Sequence, residues 1–127
     1  MRWRKSCRGG TIHLIVGTGA GGGFDTYSRT IARHMSKYIP GNPVVIVDNL
    51  PGAGFLRSVQ HLYKVAKPDG LTFGNWIGTL VMAQLIGRKA VDFDARKFEY
   101  IGSPVQNHGA KMTIEFSCEL QRRNFRA

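Results

Sequence analysis

With 127 residues and a hydrophobic share of 43%, the chain is long enough for one small domain and too apolar to be disordered throughout. Its formal net charge of +10 suggests a nucleic-acid partner only until it is placed along the chain: residues 1–10 hold +4 and residues 111–127 hold +2. The remaining basic residues are scattered, with no aromatic stripe between them, so tail charge and a solvated surface account for the excess and no nucleic-acid partner is expected.

Two cysteines, Cys7 and Cys118, lie near opposite ends, at no spacing that implies a disulfide framework or a metal site. The histidines His13, His34, His61 and His108 have no HxxxH or CxxC partner and read as surface or helix-face residues. No apolar run is long enough to span a membrane, and the basic start lacks the apolar stretch of a signal peptide, so none is visible.

Residues 1–10 are a basic lead-in. Residues 12–16 (IHLIV) read as a buried strand, and it runs into GTGAGGG, five glycines in seven residues. A helix is expected to begin near Asp25 or Thr26, with Tyr27, Ile31, Met35 and Tyr38 inward and Arg29, Arg33 and Lys37 in water. Asp25 suits the cap or first turn of that helix, and Pro40-Gly41-Asn42 ends it. Residues 44–47 (VVIV) form a second strand that empties into DNLPGAG. A second amphipathic helix from about Phe55 turns Val59, Leu62, Tyr63 and Ala66 inward, and Lys67-Pro68-Asp69-Gly70 is a turn. A third strand at 71–77 is interrupted by Gly74, a short apolar helix covers 80–86, and 98–101 forms a fourth strand. Strands alternating with helices imply βαβ units and a mostly parallel sheet with flanking helices. Residues 105–127 show no sustained apolar period and read as tail or linker.

The glycine loop carries the functional information. Strand, glycine-rich turn and helix N-terminus together present unpaired N–H groups and a partial positive charge, which favours an anion. Gly17-Thr18-Gly19-Ala20-Gly21-Gly22 matches the GxGxxG dinucleotide fingerprint, and the second strand ends in Asp48, as that fold requires. Against it, Gly23-Phe24-Asp25 are expected to extend the loop before the helix, and Asp25 would bring a carboxylate to a pyrophosphate. A phosphate-binding P-loop is excluded because no Lys-Ser/Thr follows Gly22. A backbone cradle for a small carboxylate, with Asp25 capping the helix or ordering a water, is the remaining ligand reading. A valine at Gly22 is expected to block close approach and any positive φ there.

The segments IVGTGAGGGFDTYSRTIARHMSKYIPGNPVVIVDNLPGAG, KVAKPDGLTFGNWIGTL and VDFDARKFEYIGSP together resemble the solute receptors of tripartite tricarboxylate transporters, the Bug family. The shared features, in order over about residues 12–104, are an AGGxxD loop, an Ala/Ser-Arg in the first helix and N-x-PGAG after the second strand. PDG before the third strand, a Gly/Asn/Thr-rich loop after it and F-D near a closing F..IG complete them. The PGAG and PDG segments have no place in a dinucleotide-binding domain. The resemblance implies the partial first lobe of a type II periplasmic-binding-protein fold, an α/β lobe at residues 11–110 between the lead-in and an atypical tail at 111–127.

It also implies a non-enzymatic periplasmic receptor that binds a small organic carboxylate and hands it to membrane permease subunits, with no cofactor or metal. By position, Gly21, Gly22, Gly23, Phe24 and Asp25 would form the ligand loop, and Asn75, Gly78 and Thr79 would add to it. Members of the family are more than twice as long and carry a second lobe and a secretion signal, so a truncated or frame-shifted chain is the expectation.

Overall fold

The computed structural model describes residues 10–102 and the strand Met112–Phe116. Cys7, Cys118, His108, the lead-in before residue 10 and the rest of the tail lie outside the described residues. In chain order the elements are β1 (Thr11–Val16), α1 (Gly23–Met35) with a 3-10 turn at Ser36–Tyr38, β2 (Val44–Asn49), α2 (Leu56–Lys64), β3 (Thr72–Ile77), α3 (Thr79–Leu85), a 3-10 turn at Ala95–Lys97, β4 (Glu99–Gly102) and β5 (Met112–Phe116).

The sheet order is β2-β1-β3-β5-β4. β1 is central to a parallel trio, with Val16 opposite Asn49 on β2 and opposite Asn75 on β3. The alternating expectation of helices and strands holds for these three. β5 then lies antiparallel between β3 and β4, so the sheet is mixed at that side. That strand falls where a tail or linker was expected. Its sequence, MTIEF, alternates apolar and polar residues, the pattern of a short strand.

Two apolar layers sandwich the parallel trio. Ile12, Leu14, Val16 and Phe73 pack with Ala32 under α1, with Phe24, Met35 and Ile39 at the margin. Ile15 and Trp76 face the other way and pack with Val59 and Leu62 of α2, with Leu80, and with Phe93, Ala95 and Phe98. The opposed facing of Leu14 and Ile15 follows from the two-residue period of a strand, which feeds two cores from one strand. Each such side chain contributes roughly 1.5–3 kcal/mol through burial.

The helices differ in detail from the periodicity. α1 starts at Gly23, two residues before the expected start, so Asp25 lies inside its first turn. The inward face is Phe24, Asp25, Ser28, Ile31, Ala32 and Met35, whereas Tyr27 and Tyr38 are exposed. The small Ser28 and Ala32 let the helix sit close on the sheet, which a tyrosine facing inward would prevent. On α2, Val59 and Leu62 are buried and Tyr63 and Ala66 pack at their edge, as the pattern indicates. Gly74 belongs to this contact: a Cβ there would lie 3.0 Å from Leu62 Cδ2.

The two Gly/Pro motifs have local causes. In the PGAG turn Gly52, Ala53 and Gly54 take φ values of 142°, 49° and 59°, and Phe55 follows at 72°, turning the chain sharply into α2. In PDG the Asp69 carboxylate accepts the Leu71 N–H at 2.9 Å and Gly70 has φ 79°, a side-chain-closed turn that launches β3.

Candidate functional site

The glycine loop leaves the C-terminal end of β1, flanked by the C-terminal ends of β2 and β3. Ligands of open α/β sheets sit at that edge because the loops there are free of the core. Gly21 takes φ 86°, a conformation glycine adopts without strain. Gly22 caps α1 with φ −74°, so a valine there would meet no positive φ; the left-handed residue of the loop is Gly21. A Cβ on Gly22 would meet nothing nearer than 3.6 Å, and one on Gly21 or Gly23 would meet nothing within 4 Å. The loop is therefore open towards solvent. Gly17 is its closed end, where a Cβ would fall 2.3 Å from the Phe55 ring.

Asp25 is almost fully buried, at 2% exposure, and its carboxylate is engaged on both oxygens. Oδ2 accepts the Gly21 N–H and Arg29 Nε–H, both at 2.8 Å, and Oδ1 accepts an Asn49 amide hydrogen at 2.9 Å. The Arg29 hydrogen bond, then the Gly21 N–H and the Asn49 amide, outweigh burial and hold its pKa at about 2. Arg29 is raised in return by the same pair. A buried anion thus sits behind the loop with a cation beside it.

Phe24 packs its ring on Phe55 at 4.6 Å between centroids, and its carbonyl accepts a long hydrogen bond (3.4 Å) from the Asn75 amide. Asn75 itself is fully buried on β3 and donates to Ser28 Oγ at 2.8 Å, which pins α1 to the sheet. Gly78 and Thr79 stand at the start of α3, beyond the C-terminal end of β3 and so on the same edge of the sheet. Among the described residues no hydrogen bond joins them to the glycine loop. Gly21 to Asp25 and Asn75 are thus gathered by direct contacts, while Gly78 and Thr79 share only the edge.

Asn49, on the last position of β2, had no role assigned by composition or periodicity. Its amide donates to Thr18 O and to Asp25 Oδ1, both at 2.9 Å, and its carbonyl accepts Arg29 Nη2–H at 3.1 Å. Its place in the N-x-PGAG motif was the available signal. Asp48, which a dinucleotide site would turn to a ribose, is bonded instead to His13 Nδ1 at 2.7 Å. A small void in the core between Ser58, Leu62, Gly74 and Trp76 has no room for a water molecule.

The lobe is thus an open α/β sheet with a glycine-rich loop at the C-terminal ends of its parallel strands. Periplasmic binding proteins share this fold. The periplasmic binding protein BugD matches with a TM-score of 0.63 at 25% identity, over 72% of this chain and 30% of that one. A TctC solute binding protein from Polaromonas matches with a TM-score of 0.58 at 29% identity, over 72% of this chain and 30% of that one. In sequence, a UPF0065 protein of Bordetella bronchiseptica is 37% identical over 89 residues, 68% of this chain. No protein-family model matches the chain.

The chain is homologous to the UPF0065 (Bug/TctC) family of periplasmic solute-binding proteins, as the resemblance in its motifs implies. Its relation is to binding proteins and not to enzymes. It spans a quarter of the length of the Bordetella relative and about 30% of the two solved structures. Among the described residues no helix is long and apolar enough to cross a membrane.

Proposed function

We propose that residues 11–110 form an incomplete first lobe of a solute receptor, which binds a small organic carboxylate through the main chain of the glycine loop. The observation that carries this reading is the glycine run Gly21-Gly22-Gly23, with Gly21 and Gly23 exposed, at the N-terminus of a 13-residue helix whose Asp25 carboxylate is paired with Arg29. Unpaired helix N–H groups and the helix dipole favour a carboxylate there, and each charge-assisted hydrogen bond is worth about 1.5–3 kcal/mol.

In this reading Gly21, Gly22 and Gly23 touch the solute, Phe24 walls the loop, and Asp25 and Asn75 act from behind by holding loop and helix in place. Gly78 and Thr79 would supply polar groups from the β3 side of the same edge. A second lobe would close over this one, in the periplasm, and membrane permease subunits of a tripartite carrier would receive the solute, as the homology suggests. Titration of the 15N-labelled chain with succinate, citrate and NAD tests the proposal. Amide shifts confined to Gly21–Gly23 on adding a carboxylate are expected, and shifts with NAD alone would replace this reading by a dinucleotide site.

A further inference from the structure

Behind the loop, Asp25 and Arg29 of α1 and Asn49 of β2 close a ring of hydrogen bonds between the two elements. Arg29 Nε–H donates to Asp25 Oδ2, Asn49 Nδ2–H to Asp25 Oδ1, and Arg29 Nη2–H to Asn49 Oδ1. The ring grips both ends of the loop: Asn49 also donates to Thr18 O at its start, and Asp25 accepts the Gly21 N–H near its end. The backbone under Asn49 is fixed as well, because it pairs with Val16 in the parallel ladder and the Leu50 N–H donates to Val16 O at 2.8 Å.

The side chain at position 49 must donate two hydrogen bonds and accept one while staying neutral beside a carboxylate. At this length only asparagine does so: aspartate offers no donor when ionised, serine is too short for all three, and leucine offers none. We infer that Asn49 is a positioning residue, whose amide holds Gly21–Gly23 in the arrangement that receives the solute without touching it. The inference rests on the reading of the glycine loop as the solute contact.

The replacement Asn49→Asp keeps the acceptor for Arg29 but sets a second carboxylate against Asp25 Oδ1. Two carboxylates so close share one proton, and the protonated form restores a donor. The charged groups on the surrounding elements are Asp25 and Arg29 on α1, His13 on β1, Asp48 on β2 and Arg57 on α2; His13 and Asp48 are bonded to each other. Loss of the brace at neutral pH and its return in acid is therefore a signature of the amide's donor role.

The test uses the full chain and hydrogen exchange at Gly21, with the core amide of Leu14 as internal reference, at about pH 7 and about pH 4, corrected for intrinsic rates. Asn49→Asp should speed Gly21 exchange by about tenfold or more at the higher pH, with recovery at the lower. Asn49→Ser should speed it at both, with Leu14 still protected. Unchanged Gly21 protection in the serine variant, or no acid recovery in the aspartate variant, overturns the positioning role. Lost protection at Leu14 in the aspartate variant marks global unfolding, and the serine variant then decides. Citrate titration of the wild-type chain is read separately: absent shifts at Gly21–Gly23 refute the functional reading, while the exchange pattern still decides the role of Asn49.

Discussion

Replacing Gly17 with alanine tests how the loop is seated on the second turn. The added methyl would fall 2.3 Å from Phe55 Cδ1, 2.6 Å from Ser58 Oγ and 2.9 Å from Phe55 Cγ. Favourable carbon contacts lie near 3.5–4.0 Å, so Phe55 or the end of β1 must retreat by roughly 1 Å. Neither has easy freedom. Phe55 is held by the Phe24 ring and by its own left-handed backbone at φ 72°, and the end of β1 is held by the Leu50 N–H on Val16 O. Ser58 can swing away only by giving up its 2.8 Å bond to Phe55 O. Overpacking of this kind costs about 1–3 kcal/mol, which lowers the melting temperature of a small domain by roughly 4–20 °C. Thermal unfolding followed by circular dichroism measures it. Phe55→Ala removes both clashing ring atoms, so the double variant should lose less than the sum of the single losses, by about 0.5–3 kcal/mol. A Gly17→Ala protein that melts with the wild type, or strictly additive losses, would refute the close approach as the reason for glycine.

Three further outcomes follow from the same contacts. Gly23→Ala puts a methyl into open space at the first position of α1, so it should leave stability unchanged or raise it by about 0.5–1 kcal/mol, read by urea unfolding. Asp25 has a native pKa of about 2 against 3.8 in the unfolded chain, so its ionised form stabilises above about pH 4 and that contribution is lost as pH falls towards 2. Asp25→Asn should remove this component of the acid-unfolding curve, which melting temperatures at successive pH values would reveal. Phe73→Ala, emptying a fully buried position of β3, should cost about 3–5 kcal/mol in chemical denaturation.

The parallel trio and its helices were legible because each element carries its own period, and the PGAG and PDG turns announced the breaks between them. What periodicity missed depends on contacts between distant residues. The buried face of α1 includes Ser28, polar by sequence, because Asn75 on β3 donates to it across 47 residues. Asn49 looks like a turn residue until the fold brings it to Asp25 and Thr18, 24 and 31 positions away. The strand at Met112–Phe116 was passed over because only five residues alternate there, between stretches without any period. The loop itself was recognisable from its glycines, but not which of them takes a positive φ, which is Gly21.

The central claim is that the open side of this loop receives a carboxylate through its main chain, and Gly22→Val tests it most directly. The new Cβ would meet only ordinary contacts, the nearest 3.6 Å from Gly19 O, and φ at −74° suits any residue. Melting temperature and citrate-induced amide shifts should be measured on the same sample. Near-native melting with the shifts at Gly21–Gly23 abolished is the predicted result. A large drop in melting temperature with the shifts retained would show that these glycines serve only the turn.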